Sequence, residues 1–542
     1  MFSGAPTRHV RLIVQWLVFL TWVSLILSTK HPMENGLTRL VPVSILLRID
    51  PLVMTVVMGG MRMGVTLLML GFVTLGVSLL LGRVFCGWVC PLGAIFDAYG
   101  WLLRRMRVRF FGPSPSWFRA KYYLLFAILV FALINGVSPL MGFDPIVLLT
   151  RTAAVVINPL WRHHEDLFWG AGATIGNHGY LFDLGSLVLF MTIMAGTTRV
   201  SRLWCRTACP LGAYLALSSR NSILRRDTTG CVHCNICSSH CPTGAISFEN
   251  AEIYNESECI KCFACSQECP VDANFFTLKS PFPAVRPSQF PVSLDRRAVL
   301  ASAAAAVVMT PVLKLSSGDA KSSKRLMRPP MSREEHDFLS SCIRCAECMK
   351  ACPTGILKPA GLEHGLRALW SPVMVPTEGA CLEGCNACSQ ACPTDAILKY
   401  PIEQKYAYKS GTAVLDISRC VSYTEDKFCS ECVRVCPTNA IEIAKDWVPV
   451  EGAPLAVSKV TGRTRLIGGD GNEKPAPLGR KPTRPIRVSY DLCIGCGACE
   501  FACNQIVYGD AAIQLTSFGR AGPSKFDPSA PSSGNSAPGD TT

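Results

Sequence analysis

The densest chemistry in this sequence lies between Cys231 and Pro270. Two runs, CVHCNICSSHCP and CIKCFACSQECP, are separated by sixteen residues and share the spacing C-x2-C-x2-C-x3-C-P. In bacterial ferredoxins this spacing holds [4Fe–4S] clusters, and the fourth cysteine of each run ligates the other cluster. The two predicted ligand sets are Cys231, Cys234, Cys237 and Cys269, and Cys241, Cys259, Cys262 and Cys265.

Zinc knuckles and structural disulfides are the alternatives for these eight cysteines. The C-x2-C pattern also suits zinc, but a zinc site takes four ligands and has no use for the third cysteine and the C-P pair. Eight thiols this crowded would mispair as disulfides. The spacing therefore favours two cubane clusters.

Four more cysteine groups follow in the carboxyl half of the chain. The second has one extra residue in its first gap, the third has eight residues there, and the last is followed by Asn504 where proline is usual. The groups are Cys342, Cys345, Cys348 and Cys352; Cys381, Cys385, Cys388 and Cys392; Cys420, Cys429, Cys432 and Cys436; and Cys493, Cys496, Cys499 and Cys503. They predict four further clusters in two ferredoxin-like lobes. Two pairings stay open. In the first, group one pairs with group two and group three pairs with group four. In the second, group one pairs with group four, and groups two and three pair with each other between them.

Two shorter motifs with the pattern C-x3-C-P-L-G-A lie in the amino-terminal half. Cys86 and Cys90 belong to the first motif and Cys205 and Cys209 to the second. Within each motif the thiols lie about one helical turn apart, so two motifs facing each other would supply four thiolates. Three interpretations stay open: a seventh Fe–S centre, a redox-active dithiol pair, or packing at helix ends.

Composition separates a membrane half from a cysteine-rich half. The chain has 542 residues, 28 cysteines and a formal net charge of +14, and its mean hydropathy is +0.28. Because 28 is seven times four, no cysteine is left over as a lone nucleophile or for a disulfide. Much of the Lys and Arg surplus flanks apolar runs, where it sets membrane orientation, so nucleic-acid binding is not indicated.

Four apolar runs predict transmembrane helices. They lie at about Leu12–Ser28, Gly64–Leu81, Tyr122–Val137 and Leu181–Ala195. Basic clusters precede the first run, follow the second and follow the fourth, which predicts that both ends of this half and its middle loop are cytoplasmic. The two C-x3-C-P motifs then mark the cytoplasmic ends of spans two and four.

The four spans, the two C-x3-C-P motifs and the two-cluster ferredoxin together resemble the NapH family of membrane quinol dehydrogenase subunits, over about residues 1–275. The resemblance implies a multi-pass protein of the bacterial inner membrane, with the first ferredoxin domain in the cytoplasm. It also implies that electrons pass from quinol to a periplasmic partner. The quinol site itself stays unknown: His163, His164 and Asp166 of an outer loop could accept quinol protons, although a solvated loop is the simpler interpretation.

A proline-rich linker is followed by a pattern that resembles a twin-arginine export signal. Arg296 and Arg297 precede a mildly apolar run that breaks at Pro311. Arg296–Val312 would then form a fifth span and place the rest of the chain in the periplasm. The alternative is a helix of small residues that stays inside or packs on the membrane.

The carboxyl half resembles the MauM/NapG family of periplasmic ferredoxin-type proteins, over about residues 295–515. Such proteins often carry a twin-arginine leader, which agrees with Arg296 and Arg297. The chain is therefore predicted to be a NapH-type protein fused to a NapG-type protein. The long basic insert between the last two cysteine groups could dock an acidic partner such as a cytochrome, or form a solvated loop.

These observations predict a mixed fold, in which an α-helical membrane domain of four spans, with a fifth from the linker, is joined to α+β bacterial-type ferredoxin domains. The expected domains are a membrane domain at 1–220, a two-cluster ferredoxin at 221–278, a linker with the signal at 279–330, a four-cluster ferredoxin at 331–515 and a disordered tail at 516–542.

The predicted function is quinol oxidation with electron relay through six [4Fe–4S] clusters, or seven, to a periplasmic reductase or cytochrome. The alternative from another class is an accessory polyferredoxin that keeps a partner metalloenzyme reduced without catalytic quinol turnover. A third interpretation reverses the flow, with a cytoplasmic donor feeding the first ferredoxin domain.

Overall fold

The computed structural model describes most of the chain outside its linkers and tail. The described residues are 4–28, 44–62, 64–108, 115–136, 139–159, 184–247, 250–278, 295–316, 326–399, 401–424, 429–443, 486–507 and 511–517. The expectations for His163, His164, Asp166, most of the basic insert and the tail lie outside these residues.

The amino-terminal half is helical. Its helices are α1 (Gly4–Ser28), α2 (Ile45–Arg48), α3 (Pro51–Met61), α4 (Leu70–Leu81), α5 (Val84–Trp88), α6 (Pro91–Arg105), α7 (Ala120–Asn135), α8 (Pro145–Thr152), α9 (Leu184–Thr197), α10 (Leu203–Thr207) and α11 (Pro210–Ser218). Helices α3, α6, α8 and α11 each begin at a proline. Proline suits this position because the first N–H of a helix has no partner inside the helix.

The rest of the chain contains short helices and short strands, together with one 21-residue helix in the linker between the ferredoxin regions. The helices are α12 (Ile236–Ser239), α13 (Ala264–Gln267), α14 (Arg296–Ser316), α15 (Glu335–Ser341), α16 (Glu347–Ala351), α17 (Ala387–Ala391), α18 (Val421–Thr424), α19 (Glu431–Arg434) and α20 (Ala498–Asn504). The strands are β1 (Leu224–Asp227), β2 (Phe275–Leu278), β3 (Leu357–Pro359), β4 (Pro372–Met374), β5 (Thr412–Leu415), β6 (Ile441–Ile443), β7 (Ile486–Val488) and β8 (Ile513–Thr516).

Every named strand belongs to a two-stranded antiparallel sheet. Strand β1 pairs with β2 and encloses the first ferredoxin domain, while β3 pairs with β4 in the next lobe. In the last lobe β6 pairs with β7 and β5 pairs with β8, one pair nested inside the other. This nesting brings the third and fourth cysteine groups of the carboxyl half into one lobe.

Two of the described helices are long and apolar enough to cross a membrane. They are Pro6–Leu27 and Trp117–Asn135, whereas Pro51–Met61, Thr66–Leu81, Pro145–Ile157 and Gly185–Thr197 are shorter apolar helices. A full crossing takes about 20 residues, so the structure does not support four full-length spans. The second and fourth predicted spans correspond to two of the short helices.

The first ferredoxin domain is attached to the beginning of α7. Tyr122 donates a hydrogen bond of 2.9 Å to Glu258, and Lys121 and Arg83 form ion pairs with the same carboxylate. Burial raises the pKa of Glu258, but these two cations outweigh it and hold the pKa below its ordinary value.

The carboxyl-terminal ferredoxin lobes contact the other end of α7. A Cβ atom on Gly136, which follows α7, would lie 3.1 Å from the Ser340 hydroxyl and 3.3 Å from the His336 ring. Helix α7 has 16 residues, which corresponds to about 24 Å at the α-helical rise. The two ferredoxin regions therefore lie at opposite ends of this apolar helix.

Helix α14 connects the two ends. The Asp295 N–H donates to the Tyr123 hydroxyl near the beginning of α7, and Asn135 at its end donates to Thr310 at 3.0 Å. Phe131 and Ala306 pack together between these points. The chain thus passes beside α7 from the first ferredoxin domain towards the later lobes.

Candidate metal centres

The first predicted ligand set surrounds a cavity. Cys231, Cys234, Cys237 and Cys269 line one pocket. The second set is also brought together, because Cys262 and Cys265 each have Cys241 and Cys259 as electrostatic neighbours. The fourth cysteine of each run therefore lies with the first three cysteines of the other run.

Backbone N–H groups point at the sulfur atoms of this domain. Ala245 donates to Cys241 Sγ at 3.2 Å and Ala273 donates to Cys269 Sγ at 3.3 Å. Burial raises the pKa of the Cys269 thiol, but such backbone hydrogen bonds outweigh burial and bring this pKa below its ordinary value. Hydrogen bonds of this kind also set the reduction potential of a bound cluster.

The carboxyl-terminal cysteines form four sets that settle how the groups are arranged in space. Three sets each line a pocket of their own. In the fourth set, Cys388 has Cys381, Cys352 and Cys385 as electrostatic neighbours. The cavity-lining sets are Cys342, Cys345, Cys348 and Cys392; Cys420, Cys429, Cys432 and Cys503; and Cys436, Cys493, Cys496 and Cys499. Group one is thus interleaved with two and group three with four; the nested alternative does not occur.

The absence of proline after Cys503 has a visible local consequence. Helix α20 continues to Asn504, whereas α16 and α17 end just before the last cysteine of their groups. The Asn504 amide donates to the Thr377 carbonyl oxygen at 3.3 Å. A hydrogen bond to a neighbouring segment fixes the end of this group, in place of the chain turn that proline gives elsewhere.

The described cysteines are not arranged as ligands of a single ion. Among the described residues, no three cysteine, histidine or carboxylate side chains come together around one point. In each cavity the four thiols lie around a space instead. Each cysteine of a cubane binds a different iron atom, and four thiols that line one space can supply one ligand to each of the four irons.

The cysteines of the two C-x3-C-P motifs also come together. Cys90 has Cys86 and Cys205 as electrostatic neighbours, and Cys209 has Cys205 and Cys86. Burial and these neighbouring thiols raise the pKa of both Cys90 and Cys209. We call Cys86, Cys90, Cys205 and Cys209 the membrane-end cysteines.

Two arginines connect the motifs crosswise. Arg83 and Arg202 each stand three residues before the first cysteine of their motif. Arg202 donates to the Gly93 carbonyl oxygen of the other motif at 3.2 Å and pairs with Asp97 at 2.6 Å. Arg83 reaches the opposite turn, where a Cβ atom on Gly212 would lie 2.8 Å from Arg83 Nη2. The repeats therefore face each other with approximate two-fold symmetry.

Arg83 provides the test of whether the residues fit an Fe–S centre. Its Nε and Nη2 atoms are buried and have no hydrogen-bond partner among the described residues. The same guanidinium has Cys86 and Cys209 as electrostatic neighbours. Buried donors of a charged group need acceptors, and thiolate and sulfide atoms of a cluster would supply them. The residues present thus fit such a centre, whereas simple helix packing would leave the donors unsatisfied.

Protein-family models match both halves of the chain. One 4Fe-4S binding domain model matches residues 63–109 and 182–228, and a second 4Fe-4S binding domain model matches residues 338–358. Two 4Fe-4S dicluster domain models match residues 223–270 and 380–440. The first model covers both C-x3-C-P motifs. The match at 380–440 spans the second and third carboxyl-terminal groups, whereas in the structure these groups belong to different lobes.

Named relatives place the protein in a family. A methylamine utilization ferredoxin-type protein MauM from Methylorubrum extorquens is 33% identical over 233 residues, which is 42% of this chain and 90% of the relative. The ferredoxin-type protein NapG of Escherichia coli is 30% identical over 210 residues, 38% of this chain and 78% of the relative. The chain belongs to the MauM/NapG family of ferredoxin-type proteins.

Two further comparisons complete this picture. The methylamine utilization ferredoxin-type protein MauN of Methylobacillus flagellatus is 26% identical over 164 residues, 30% of this chain and 48% of the relative. No solved structure matches the chain. The predictions of a MauM/NapG-type protein and of 4Fe-4S domains are confirmed, while the ligand role of each cysteine stays a prediction.

Sequence reasoning about this MauM/NapG-type chain missed four residues around the membrane-end cysteines. They are Arg83, Arg202, Asp50 and Asp144. The signal was present as a second repeat, because Asp50-Pro-Leu-Val and Asp144-Pro-Ile-Val precede the first motif and the second motif respectively. Two similar four-residue segments far apart in the sequence do not indicate a shared site until the fold places them together.

Proposed function

We propose that this chain is a membrane-bound electron-transfer protein that oxidises quinol and passes the electrons to a reductase or cytochrome on the periplasmic side. The observation that carries the proposal is the attachment of two ferredoxin regions to opposite ends of α7. In this proposal a NapH-type half and a NapG-type half act as one chain, with cluster sites on both sides of the bilayer of the bacterial inner membrane.

Exposed apolar side chains support insertion of the helical half in a bilayer. Monomeric soluble proteins rarely expose large contiguous apolar patches. Here α1, α4, α9 and α14 all expose such residues, for example Ile13 and Leu20, Val73 and Leu80, Val188, and Leu300 and Val308. The shorter helices α3 and α8 are buried among the others and need not cross the bilayer alone.

The path of α14 supports a periplasmic carboxyl-terminal region. It begins beside Tyr123, near the first ferredoxin domain, and reaches Asn135 at the other end of α7. Basic residues Arg104 and Arg105 end α6 on the first side, as the positive-inside rule requires for the cytoplasm. The twin-arginine-like pair Arg296–Arg297 lies at the same end, where an internal export signal would start.

The proposed cofactors are six [4Fe–4S] clusters in the ferredoxin sets and a seventh Fe–S centre on the membrane-end cysteines. When bound, each cluster would supply one-electron redox chemistry. The membrane-end site lies between the two regions: Arg202 has Cys205 and Cys262 as electrostatic neighbours, and Cys345 of the first carboxyl-terminal set packs into the same apolar core. The chain's own residues keep this site dry and positively charged.

A second candidate function is reversed flow from a cytoplasmic donor. Cys234 is exposed at the outer surface of the first ferredoxin domain. A soluble reductant could therefore reach the Cys231 set directly, without quinol.

The proposal is tested by anaerobic reduction of the purified, cluster-loaded chain in detergent. With a reduced quinol as the only donor, absorbance and EPR should show rapid cluster reduction. Cys86→Ser and Cys205→Ser should abolish it. Cys436→Ser serves as the control, since it removes a ligand from one distant carboxyl-terminal set and should leave reduction of the other clusters intact. Reduction by dithionite but never by quinol would reject quinol oxidation and favour the cytoplasmic donor.

A further inference from the structure

Two aspartates begin helices that point at the membrane-end site. Asp50 caps α3 and Asp144 caps α8, and both side chains are fully buried. One oxygen of each accepts two backbone N–H groups, from Leu52 and Val53 at 2.8 and 3.2 Å for Asp50. Asp144 Oδ1 accepts from Ile146 and Val147 at 2.9 and 3.2 Å.

The second oxygen of each carboxyl group is the unusual feature. Asp50 Oδ2 and Asp144 Oδ2 are buried and accept no hydrogen bond from a described donor group. The two carboxyl groups lie close enough to hydrogen-bond each other, which requires a proton on one of them. Two carboxylates in one water-free site cannot both be ionised, so such a pair holds a proton between its members.

The pair lies beside the membrane-end cysteines. Asp144 is an electrostatic neighbour of Cys209. Helices α3, α8, α6 and α11 begin at Asp50, Asp144, Cys90 and Cys209, and α3 contacts α11 through a hydrogen bond of 2.9 Å between Thr55 and Tyr214. The positive end of each helix favours negative charge on the residue that caps it.

The other charged and titratable groups on the surrounding elements have partners of their own. Asp97 on α6 binds Arg11 and Arg202, Tyr214 on α11 bonds Thr55 on α3, and Arg151 at the end of α8 stacks on Trp370. Arg48 on α2 has Asp395 as its electrostatic neighbour, Lys121 on α7 binds Glu258, and His336 and Asp337 on α15 face each other. The principal electrostatic neighbours of the pair are each other and, through Asp144, Cys209.

We propose that the Asp50–Asp144 pair is a proton site coupled to the centre on the membrane-end cysteines. The pair shares one proton when that centre is oxidised and takes up a second proton when the centre gains one electron. One carboxyl O–H bond forms, one electron enters the centre, and the net charge of the buried site is unchanged. This inference rests on the proposed function, in which quinol supplies the electron and the proton.

Electrostatics supports the coupling. An added electron in a dry site is costly unless a positive charge enters with it. Arg83 and Arg202 provide fixed positive charge, but only a titratable group can compensate a change in charge. The shared proton site of the aspartate pair is within electrostatic range of the ligands and is shielded from water.

The test is a redox titration of the membrane-end centre at several pH values, with mediators and dithionite in place of quinol. One proton per electron shifts the midpoint potential by about 59 mV for each tenfold change in proton concentration. The parent should show this shift. The double variant Asp50→Asn/Asp144→Asn should lose it, because asparagine caps helices as well as aspartate but holds no exchangeable carboxyl proton.

Asp97→Asn is the matched control. It removes a partly buried carboxylate that pairs with Arg202, so the potential should change while its pH dependence stays. Infrared difference spectra of the parent should also show a protonated-carboxyl band that the double variant lacks. A parent potential that does not depend on pH, or an equal dependence in a loaded double variant, overturns the inference.

The outcomes separate this inference from the proposed function. A pH-dependent centre that quinol never reduces would reject quinol oxidation and retain the proton site. A centre that quinol reduces, with a potential independent of pH, would reject only the proton site. If the double variant does not load its centre, the parent titration and its infrared band decide.

Discussion

At the residue scale, the membrane-end site depends on cations that the cysteine spacing does not reveal. Arg83 is almost fully buried, pairs with Glu258 at 2.9 Å, and has two donor atoms without a hydrogen-bond partner among the described residues. Charge-assisted hydrogen bonds contribute about 1.5–3 kcal/mol each. The guanidinium therefore stabilises whatever negative charge the four thiolates and their centre carry.

Replacing Arg83 should make the membrane-end centre harder to reduce. We expect Arg83→Gln to lower its midpoint potential by roughly 60 mV or more, since about 59 mV corresponds to a tenfold change in a one-electron equilibrium. EPR-monitored redox titration measures this. Arg8→Gln removes an arginine that pairs with Glu268 and is partly exposed, where solvent screens the charge, and should leave the potential unchanged. An unaltered potential in Arg83→Gln would show that its free donors do not face the centre.

The interleaving of the carboxyl-terminal groups gives a second residue-scale prediction. Cys352 and Cys388 belong to one set, so Cys352→Ser/Cys388→Ser should lose one cluster. Cys352→Ser/Cys392→Ser affects two sets and should lose two clusters. Iron content and Mössbauer spectra distinguish the variants. Equal losses in both variants would contradict the arrangement.

At the element scale, the contact between the first ferredoxin domain and the first C-x3-C-P turn is unusually close. A Cβ atom on Gly87 would overlap the Ile260 carbonyl oxygen, and Trp88 Nε1 donates to the Lys261 carbonyl oxygen at 3.1 Å. Only glycine allows the two backbones to approach in this way. The contact sets the distance between the membrane-end cysteines and the Cys259 set.

Gly87→Ala should therefore loosen the first ferredoxin domain. We expect a lower Tm, faster proteolysis in the 221–278 region and slower electron exchange between the two sites, which limited proteolysis and freeze-quench EPR measure. Gly76→Ala is the control, because a Cβ atom there meets no atom within 4 Å; alanine should leave the fold intact and favour the helix by up to about 1 kcal/mol. Equal behaviour of the two variants would count against the contact.

Sequence patterns predicted local features well at this scale and missed the long-range ones. The crossing of Cys241 and Cys269 follows from cysteine spacing alone, because the ligand pattern is local and repeated. The helix bounds around Asp50 and Asp144 did not follow, because apolar composition masks where a buried helix begins. The facing of Arg83 and Arg202 arises only when two distant repeats assemble.

At the scale of the whole molecule, α7 and α14 define two sides. The first ferredoxin domain contacts the Lys121 end and the carboxyl-terminal lobes contact the Gly136 end. The sequence predicted two such sides from its basic clusters, but not that one helix would connect them. Two helices of spanning length and several shorter ones replace the expected four equal spans.

Reporter fusions test this sidedness in cells. A reporter that is active only outside the cytoplasm should be inactive when fused after residue 280 and active when fused after residue 330. Arg296→Lys/Arg297→Lys should reduce activity of the second fusion if the pair directs export. If a fusion after residue 330 is active only when it carries a reporter that works in the cytoplasm, the carboxyl-terminal region is not periplasmic and the prediction is wrong.

The central claim is that electrons from quinol cross to the carboxyl-terminal lobes. Its most direct test is electron transfer in proteoliposomes that carry quinol in the bilayer and a membrane-impermeant acceptor outside. In vesicles oriented with the carboxyl-terminal region outward, the cluster-loaded parent should reduce the acceptor continuously, and Cys86→Ser should not. Reduction by the parent at no more than the rate of empty vesicles would contradict the account.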